Sequence, residues 1–290
     1  MMNGWNERRP RAKRRLSIVT SFLLFMLSLL PASAAGAAEE TEPVRLPIVM
    51  YHQLTKTPAR VNTYTLTLEQ FENDLRYLRD EGYESVTLRE LLAWSDGLGA
   101  LPAKPVMITF DDGFETTGVW APPLLEQYGF TAIMAVVGSV AQLYTDTPDH
   151  NLAYSHLGWE AVAELSQVGV LEVQSHTWNM HIIGARRGCS KLFGGEGGAA
   201  YRAALTADLA RFEEEAARNG VKTVPGIAFP YGYYCDDTLG VIRDLGYRAA
   251  FTCAARVNTL TGDQDELMEL CRFNRPPGKT SAQFFAAWDK

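Results

Sequence analysis

The sequence predicts an α/β fold, a distorted or incomplete (β/α) barrel in a single domain. About eight short apolar segments with strand character alternate with amphipathic helical segments, which is typical of a parallel sheet covered by helices. No glycine-rich dinucleotide-binding fingerprint follows the first strand, and the chain has no Walker loop. The missing nucleotide motifs favour a barrel over an open, doubly wound sheet.

Local signals place the individual elements along the chain. Capping boxes at Thr67 and Thr87 begin two helices, Pro122 begins another, and Gly220 closes the longest one. A glycine-rich loop is predicted at 184–198. The predicted strands are 45–52, 85–87, 106–110, 131–137, 170–175, 226–229, 248–253 and 269–274, and the predicted helices are 68–81, 88–96, 122–129, 158–168, 199–218, 236–245 and 280–288.

The composition is that of an acidic globular protein. Of the 290 residues, 47% are hydrophobic and 21% are charged, which is enough for one large α/β domain. Residues 1–37 hold six of the 27 basic residues and one of the 34 acids, so the rest of the chain has 21 basic and 33 acidic residues, a net charge of −12. This acidity argues against nucleic-acid binding.

The N-terminus has the three-part pattern of an export signal. A basic region precedes the fifteen-residue apolar run 16–30, and small residues follow it, as in secretory signal peptides. The run is short for a spanning helix, which needs about 20 residues. We therefore predict a signal peptide over 1–37, with an uncleaved anchor as the alternative, a linker over 38–44 and the folded domain over 45–290. The predicted location is secreted or cell-surface, with membrane or cell-wall association through the N-terminus left open.

The four cysteines are Cys189, Cys235, Cys253 and Cys271. They show no C-x-x-C pairing, which argues against a zinc ribbon or a thioredoxin-type site. Export permits disulfides, and four cysteines allow three connectivities. Four free thiols are the alternative.

Two adjacent carboxylates, Asp111 and Asp112, follow the apolar strand 106–110. Carboxylates at a buried strand end are costly unless they bind a metal or accept hydrogen bonds, and active sites of barrels are built at the C-terminal ends of the strands. Because neighbouring strand residues point in opposite directions, we expect the two carboxylates to have different roles. An ordinary Asp-Gly turn is the alternative for this stretch taken alone.

Two of the five histidines, His176 and His181, lie at the end of the predicted strand 170–175. Histidine pairs that bind zinc from a helix lie four residues apart, so this five-residue spacing indicates a pair carried by a loop. Two histidines and one aspartate form a facial ligand set that leaves positions open for water and substrate. The crowding of two histidines at one strand end therefore indicates a metal site.

Two further strand ends carry candidate residues. In the stretch Phe229-Pro-Tyr-Gly232, the proline and the glycine hold a tight turn, and such a turn can aim the Tyr231 N–H at a developing oxyanion. His52 ends the first strand. Taken alone, an ordinary loop and a core or capping histidine also explain these two features.

Three of these stretches together resemble the polysaccharide deacetylase family, also called the NodB homology domain or carbohydrate esterase family 4. They are Thr109-Phe-Asp-Asp-Gly113, Ser175-His-Thr-Trp-Asn-Met-His181 and Phe229-Pro-Tyr-Gly232, in the family's order. The resemblance covers residues 45–288. The Met50-Tyr-His52 start and the five-residue histidine spacing look most like the branch that deacetylates poly-N-acetylglucosamine.

The resemblance implies a metal-dependent N-deacetylase on a distorted (β/α) barrel. The implied roles are general base for Asp111, metal ligand for Asp112, His176 and His181, and oxyanion donor for Tyr231. The implied cofactor is a divalent metal, expected to be Zn²⁺, with Co²⁺, Ni²⁺ or Mn²⁺ as alternatives.

The chain departs from the family's usual pattern at two places. The arginine that often precedes the Pro-Tyr-Gly motif is replaced by Gly226-Ile-Ala, and the late segment Leu270-Cys-Arg-Phe-Asn-Arg275 has no histidine to serve as general acid. We therefore assign the general acid to His52, since the poly-N-acetylglucosamine branch is thought to use a histidine from this region. His150 and His156 are the alternatives.

Substrate contacts are predicted for Pro230 and Gly232 of the turn, and for Trp178 and Arg275, with packing as the alternative reading. The predicted substrate is an N-acetylated cell-surface polysaccharide, either poly-N-acetylglucosamine or peptidoglycan. Its deacetylation would leave cationic amines on the polymer. The alternatives are hydrolysis of another amide or imide and a catalytically weak glycan-binding module on the same fold.

Overall fold

The computed structural model describes residues 42–289, in which strands and helices alternate. The predicted signal segment 1–37 and most of the linker lie outside the described residues, so these boundaries stay predictions. The strands are β1 (Val44–Leu46), β2 (Ile48–Tyr51), β3 (Gln53–Thr55), β4 (Thr65–Thr67), β5 (Glu84–Ser85), β6 (Pro105–Phe110), β7 (Ala132–Val136), β8 (Leu171–Ser175), β9 (Thr223–Ala228), β10 (Ala249–Phe251), β11 (Asn258–Leu260) and β12 (Phe273–Asn274). The α-helices are α1 (Leu68–Asp80), α2 (Leu88–Ser95), α3 (Glu115–Tyr128), α4 (Gly138–Asp146), α5 (Trp159–Val168), α6 (Gly198–Arg218), α7 (Asp236–Asp244) and α8 (Ser281–Phe285).

Eight of these strands form one parallel sheet. Seven of them follow the order β10-β9-β8-β7-β6-β2-β12, and β5 pairs with the start of β6. The segment before β12 joins the two edges, because Leu270 bridges Phe251 of β10 while Phe273 pairs with Val49 of β2. The sheet is therefore curled into a distorted barrel, which confirms the predicted fold class.

Alternation along the strands separates the helix-facing layer from the barrel interior. In β6, Val106, Ile108 and Phe110 belong to the apolar cluster that includes residues of α1, α3 and α5. Met107 belongs to a second cluster, with residues of β2, β7 and β10. Asp111 continues the inward side of β6, which brings its carboxylate to the carboxyl end of the barrel.

Most predicted elements are present, and the capping boxes at Thr67 and Thr87 are confirmed. The predicted start of a helix at Pro122 is wrong. The helix α3 begins at Glu115 and contains both prolines, because its first turns bury Thr116 and Thr117. The helix α4 and the helical turn at 264–269 are additional elements that the sequence pattern did not indicate.

Among residues 42–289, no helix combines the length and the apolar character needed to cross a membrane. The four cysteines are free thiols: Cys189 and Cys271 are buried, Cys235 is half-buried and Cys253 is exposed. The structure thus agrees with the free-thiol alternative.

Candidate active site

The predicted catalytic and metal-binding residues lie together at one edge of the barrel. Asp111 and Asp112 follow β6, His176 follows β8, and His52 follows β2. Because β2, β6, β7 and β8 are parallel neighbours, their carboxyl ends lie at the same edge. Tyr231 comes from the turn after β9, the next strand of the sheet. The arrangement of parallel strands thus brings together groups that are far apart in sequence.

Asp112, His176 and His181 form a compact candidate metal centre. One carboxylate oxygen of Asp112 lies 3.4 Å from Nε2 of His176 and 3.1 Å from Nε2 of His181. One ligand atom from each of the three residues lies within 4.8 Å of the others. His176 is buried, whereas the side chain of His181 is 25% exposed. One side of the centre is therefore open toward the surface.

The hydrogen bond of His176 fixes which ring nitrogen faces the centre. Its Nδ1 lies 2.8 Å from the carbonyl oxygen of Ala228, so Nδ1 carries the hydrogen and donates it. In the neutral ring Nε2 then presents a lone pair to the centre. His181 has its own support, because its Nδ1 lies 3.1 Å from the hydroxyl of Tyr231.

Asp112 reaches the centre through a left-handed backbone conformation. Its φ is 73°, an uncommon value for a residue with a side chain, although aspartate tolerates it better than most. The carboxylate is thereby swung toward the histidines instead of away from the barrel. We expected the side chains of Asp111 and Asp112 to point in different directions because they alternate along a strand. The difference arises instead from the left-handed turn at Asp112.

The backbone between the two histidines is clamped on two sides. The amides of Gly138 and Ser139, at the start of α4, donate to the carbonyls of Thr177 and Trp178 at 3.0 and 2.8 Å. On the other side, the two carboxylate oxygens of Asp208 in α6 accept from the amides of Trp178 and Asn179 at 2.8 and 2.9 Å. Burial raises the pKa of Asp208, although these two amides oppose the rise. The clamp holds the loop in the shape that the five-residue histidine spacing requires.

Asp111 is held by a buried arginine that the sequence reading missed. Arg272 donates to both carboxylate oxygens of Asp111, at 2.7 and 2.8 Å, and Nε of Arg272 donates to the carbonyl of Thr252 at 3.0 Å. Burial by itself would raise the pKa of Asp111, but the charge of Arg272 and the hydrogen bonds that it donates lower it overall. The carboxylate is therefore kept ionised, as a general base must be.

The position of Arg272 explains the first departure from the family pattern. The chain has Gly226-Ile-Ala where family members often carry an arginine, and Arg272 supplies a guanidinium from the segment before β12 instead. The signal in the sequence was an arginine placed within the apolar stretch Leu270-Cys-Arg-Phe273. A fully buried arginine needs a partner, but only the tertiary structure shows that the partner is Asp111.

His52 lies close to both carboxylates. Burial lowers the pKa of its ring, while the charges of Asp111 and Asp112 oppose that change. Its Nδ1 is buried and has no hydrogen-bond partner among the described residues. The ring is packed edge-on against Tyr64, with ring centroids 4.9 Å apart. Its role as general acid stays a prediction.

The two alternative acids lie in the loop before α5. His150 is exposed and pairs with Glu115 at 2.9 Å. His156 stacks on Phe114 with ring centroids 4.3 Å apart, and burial lowers the pKa of its ring. Asp112 and His181 also influence His156 electrostatically, so its ring lies closer to the centre than the loop position suggested.

The turn at 230–232 has the predicted tight geometry. Tyr231 has a φ of 58° and Gly232 a φ of 72°. A Cβ at Gly232 would lie 2.8 Å from Cβ of Cys253, so only glycine fits. Pro230 is buried. The turn positions Tyr231 beside His181; the roles of the Tyr231 N–H and of Pro230 and Gly232 toward substrate stay predictions.

Arg275 is not a groove residue, and the prediction that it contacts substrate is wrong. Its side chain is 1% exposed and forms a two-pronged ion pair with Asp74 of α1, at 2.8 and 3.1 Å. Because the guanidinium is buried among these acceptors, it cannot reach a sugar at the surface. Trp178 is half-buried beneath the guanidinium of Arg211, 5.2 Å from the ring centroid, and its contact with substrate stays a prediction.

A barrel with a buried base and an Asp–His–His set at the carboxyl ends of its strands has the form of a hydrolase. The family model of polysaccharide deacetylases matches residues 99–250, just over half of the chain. The chain therefore belongs to the polysaccharide deacetylase family.

Curated relatives include enzymes from Staphylococcus aureus and Escherichia coli. The poly-beta-1,6-N-acetyl-D-glucosamine N-deacetylase of Staphylococcus aureus strain N315 is 26% identical over 268 residues, covering 85% of this chain and 88% of the relative. The enzyme of the same name from strain MRSA252 is 29% identical over 69% of this chain, which matches 64% of that relative's length. In the namesake from Escherichia coli K12, 24% identical, the match covers 81% of this chain and 38% of the relative.

Solved structures share the fold. IcaB from Ammonifex degensii has a TM-score of 0.68 at 24% identity, over 85% of this chain and 97% of that one. The Streptococcus pyogenes deacetylase PplD, solved in complex with acetate, also has a TM-score of 0.68, at 22% identity over 86% of this chain. These structural similarities confirm the predicted fold, and the match to the family model confirms the predicted family.

Proposed function

We propose that this protein is an exported, metal-dependent N-deacetylase that removes acetyl groups from a poly-N-acetylglucosamine-type polysaccharide. The observation that carries the proposal is the convergence of Asp112, His176 and His181 beside the ionised Asp111 at the carboxyl edge of the barrel. The names of the curated relatives favour this polymer over peptidoglycan. Export is supported by the N-terminal sequence pattern.

The donor set fits a divalent ion such as Zn²⁺. The carboxylate oxygen of Asp112 that lies between Nε2 of His176 and Nε2 of His181 is buried and has no hydrogen-bond donor among the described residues. The lone pair on Nε2 of His176 points toward the same space. Lone pairs that face one another are stabilised when a cation lies between them. Such an ion supplies Lewis-acid chemistry, because it polarises the acetyl carbonyl and makes water a better nucleophile near neutral pH.

Side chains of the protein accept and donate the protons that are transferred in the reaction. Asp111 accepts a proton from the attacking water, whose oxygen bonds to the acetyl carbon, while Arg272 keeps the carboxylate oriented. The Tyr231 N–H stabilises the negative charge on the carbonyl oxygen. His52, once protonated, donates to the leaving nitrogen as the C–N bond breaks. The products are acetate and a free amine on the sugar.

Acetate release from defined polymers tests the proposal. The wild-type protein, reconstituted in turn with Zn²⁺, Co²⁺, Ni²⁺ and Mn²⁺, is assayed on poly-N-acetylglucosamine, peptidoglycan and chitin oligomers. We expect release from poly-N-acetylglucosamine to be fastest, and Asp112→Asn to lose both bound metal and activity. Sequencing the N-terminus of protein recovered from the cell surface or the medium checks export and cleavage.

Three outcomes would contradict parts of this proposal separately. Faster release from peptidoglycan would change the substrate, and full metal content in Asp112→Asn would overturn the ligand assignment. Binding of acetylated oligomers without any acetate release, with metal supplied, would make the protein a glycan-binding module.

A further inference from the structure

A loop leaves the candidate metal centre directly after His181 and returns to pack on the turn at 230–233. Within the loop, the amide of Gly188 donates to the carbonyl of Ile182 at 3.1 Å, and the amide of Cys189 donates to the carbonyl of Tyr233 at 2.9 Å. A Cβ at Gly188 would lie 2.4 Å from the carbonyl oxygen of Pro230, so the two backbones touch. The loop and the turn are therefore one packed unit.

The outer face of this unit carries two aromatic rings and one cation. Phe193 is 59% exposed and Tyr233 is 40% exposed. The guanidinium of Arg187 lies 4.9 Å from the ring centroid of Phe193 and 5.6 Å from that of Tyr233. We call these three side chains the Tyr233–Arg187–Phe193 strip. It begins two residues after Tyr231, whose hydroxyl lies 3.1 Å from Nδ1 of His181.

The base of the strip is rigid, and its cation is unpaired. Beneath it, the buried Arg186 donates to Glu196 at 2.7 Å and to the carbonyl of Ser190 at 2.7 Å. Arg187 itself is exposed, and within residues 42–289 no carboxylate forms an ion pair with it. An unpaired guanidinium between two open rings leaves its donors available to a ligand.

We propose that the Tyr233–Arg187–Phe193 strip is an accessory binding site for the glycan chain, which contacts sugar units beyond the one being deacetylated. The inference rests on the proposed function and deepens it. Aromatic faces pack on the C–H faces of sugar rings, and a guanidinium donates to hydroxyl and acetyl oxygens. Arg187 also repels the ammonium group of a deacetylated unit, so the strip favours chains that are still acetylated.

Exposed apolar side chains lie beside the strip, so a lipid surface is an alternative ligand to consider. Ile182, Ile183 and Leu192 are exposed beside it, but the chain beyond residue 37 has a net charge of −12. An acidic protein is repelled by anionic leaflets, and Arg187 by itself does not offset this charge, since Arg186 is paired with Glu196 and Lys191 with Asp237. An acetylated glycan is uncharged. The observations therefore favour the glycan, and vesicle binding becomes an outcome of the test.

Substrates of different length distinguish binding at the strip from events at the catalytic centre. Acetate release is measured on an acetylated dimer and on a long acetylated oligomer, for the wild type, Phe193→Ala, Arg187→Gln and the control Leu98→Ala, whose side chain is 81% exposed near the end of α2. We expect Phe193→Ala and Arg187→Gln to raise KM for the long oligomer by about 3- to 10-fold. Values of kcat stay unchanged because the lost contacts bind the ground state and the transition state equally. The KM for the dimer stays unchanged because a dimer is too short to reach the strip. Arg187→Gln also makes fully deacetylated oligomer a stronger inhibitor.

The proposal is overturned if KM for the long oligomer is the same in all four proteins. It is also overturned if the variants lose binding to vesicles that contain anionic lipid while their KM is unchanged, since the loop would then serve a membrane. Failure of the proposed function has a different signature, absence of acetate release by the wild type. In that case calorimetric titration with the long oligomer decides: weaker binding by Phe193→Ala supports the strip, and equal binding overturns it.

Discussion

Arg272 links the reactive carboxylate to the interior of the barrel. It is fully buried, and its two terminal nitrogens are both committed to Asp111. Removing one partner of a buried ion pair leaves the other charge uncompensated, which costs about 3–5 kcal/mol. Arg272 therefore affects both stability and the ionisation of the base.

Replacement of Arg272 by lysine separates these two effects. Lysine cannot form the two-pronged bond, so we expect Arg272→Lys to lower kcat/KM by about 10- to 100-fold. Arg272 lowers the pKa of Asp111, so a weaker partner raises it, and the acidic limb of the pH profile of kcat/KM moves to higher pH.

The matched control for this variant is Arg275→Lys. Arg275 forms a similar buried two-pronged pair with Asp74, away from the site. The Arg275→Lys variant should lower the melting temperature by about as much as Arg272→Lys does. It should leave the pH profile of kcat/KM unchanged. An unshifted acidic limb in Arg272→Lys would show that Arg272 is structural only.

His52 is the candidate for the proton donor. We expect His52→Ala to lower kcat by about 100-fold or more, and to remove the basic limb of the pH profile. His156→Ala is the matched comparison, because His156 is one of the alternative acids and its ring is also half-buried near Asp112 with an unpartnered Nδ1; it should keep near-normal turnover. Near-normal turnover of His52→Ala with an unchanged profile would assign the acid elsewhere.

At the scale of elements, the loop between β8 and α6 determines the candidate metal centre. The loop brings two histidines that are five residues apart to this centre, and Thr177 within it has a φ of 70°. The backbone is held by α4 on one side and by Asp208 of α6 on the other. Such supporting contacts to metal ligands are typically worth about 10- to 100-fold in metal affinity.

Substitution of Asp208 tests this clamp. Asp208→Ala removes both acceptors, so we expect Zn²⁺ affinity to fall by about 10- to 100-fold, while kcat at saturating metal falls less. Asp208→Asn should lie between, because a carboxamide has only one accepting oxygen. Calorimetric metal titration gives the affinity.

Glu213→Gln in the same helix is the matched control for Asp208. Glu213 is a half-buried carboxylate whose two oxygens bond Tyr247 and Thr223, and it does not contact the loop. It should leave metal affinity unchanged. Equal metal affinity in Asp208→Ala and the wild type would mean that α4 alone holds the loop.

At the scale of the whole molecule, we expect the scaffold to fold without a bound metal. Three apolar clusters hold the sheet, the helices and the barrel interior together, and none of these contacts requires an ion. Bound metal adds to stability only through its own binding free energy, about 2.7 kcal/mol at a free concentration 100 times Kd. Loss of the metal should therefore leave the fold intact.

Chelation tests this separation of site and scaffold. After treatment with a strong chelator, we expect acetate release to be lost, the far-ultraviolet circular dichroism to be unchanged and the melting temperature to fall by a few degrees. Added Zn²⁺ should restore activity in the wild type but not in Asp112→Asn. Full activity in the chelated protein would contradict a metal-dependent reaction, and loss of the circular dichroism signal would contradict a self-sufficient scaffold.

Local chemistry explains why much of this molecule could be predicted. Capping boxes, apolar runs and closing glycines act within a few residues, so the capped helices and the main strands were correctly placed. The Asp–His–His set was predicted because its members come directly after strands, and parallel strands end at one edge. The start of α3 was misplaced because the turn before the prolines is anchored by long-range hydrogen bonds, in which Thr116 accepts from the amide of Leu54 and Thr117 donates to the carbonyl of His52. The local preference of proline for a first helical turn does not include these contacts.

Long-range pairing is where prediction from sequence failed. Arg272 and Arg275 are three residues apart and carry the same charge, yet one holds Asp111 and the other holds Asp74. Nothing in the local sequence distinguishes them, since each partner is contributed by a distant element. The predicted substrate contact of Arg275 failed for this reason.

The sequence by itself determined the barrel, the family and the residues that form the candidate metal centre, because these depend on patterns that repeat or act locally. Only the tertiary structure decided which arginine serves the base, how the histidine loop is clamped and where the Tyr233–Arg187–Phe193 strip lies. The physical reason is that a buried charge or an exposed ring has a role only through its neighbours in space. Those neighbours are set when the segment before β12 joins both edges of the sheet and when the loop after His181 packs on the turn at 230–233.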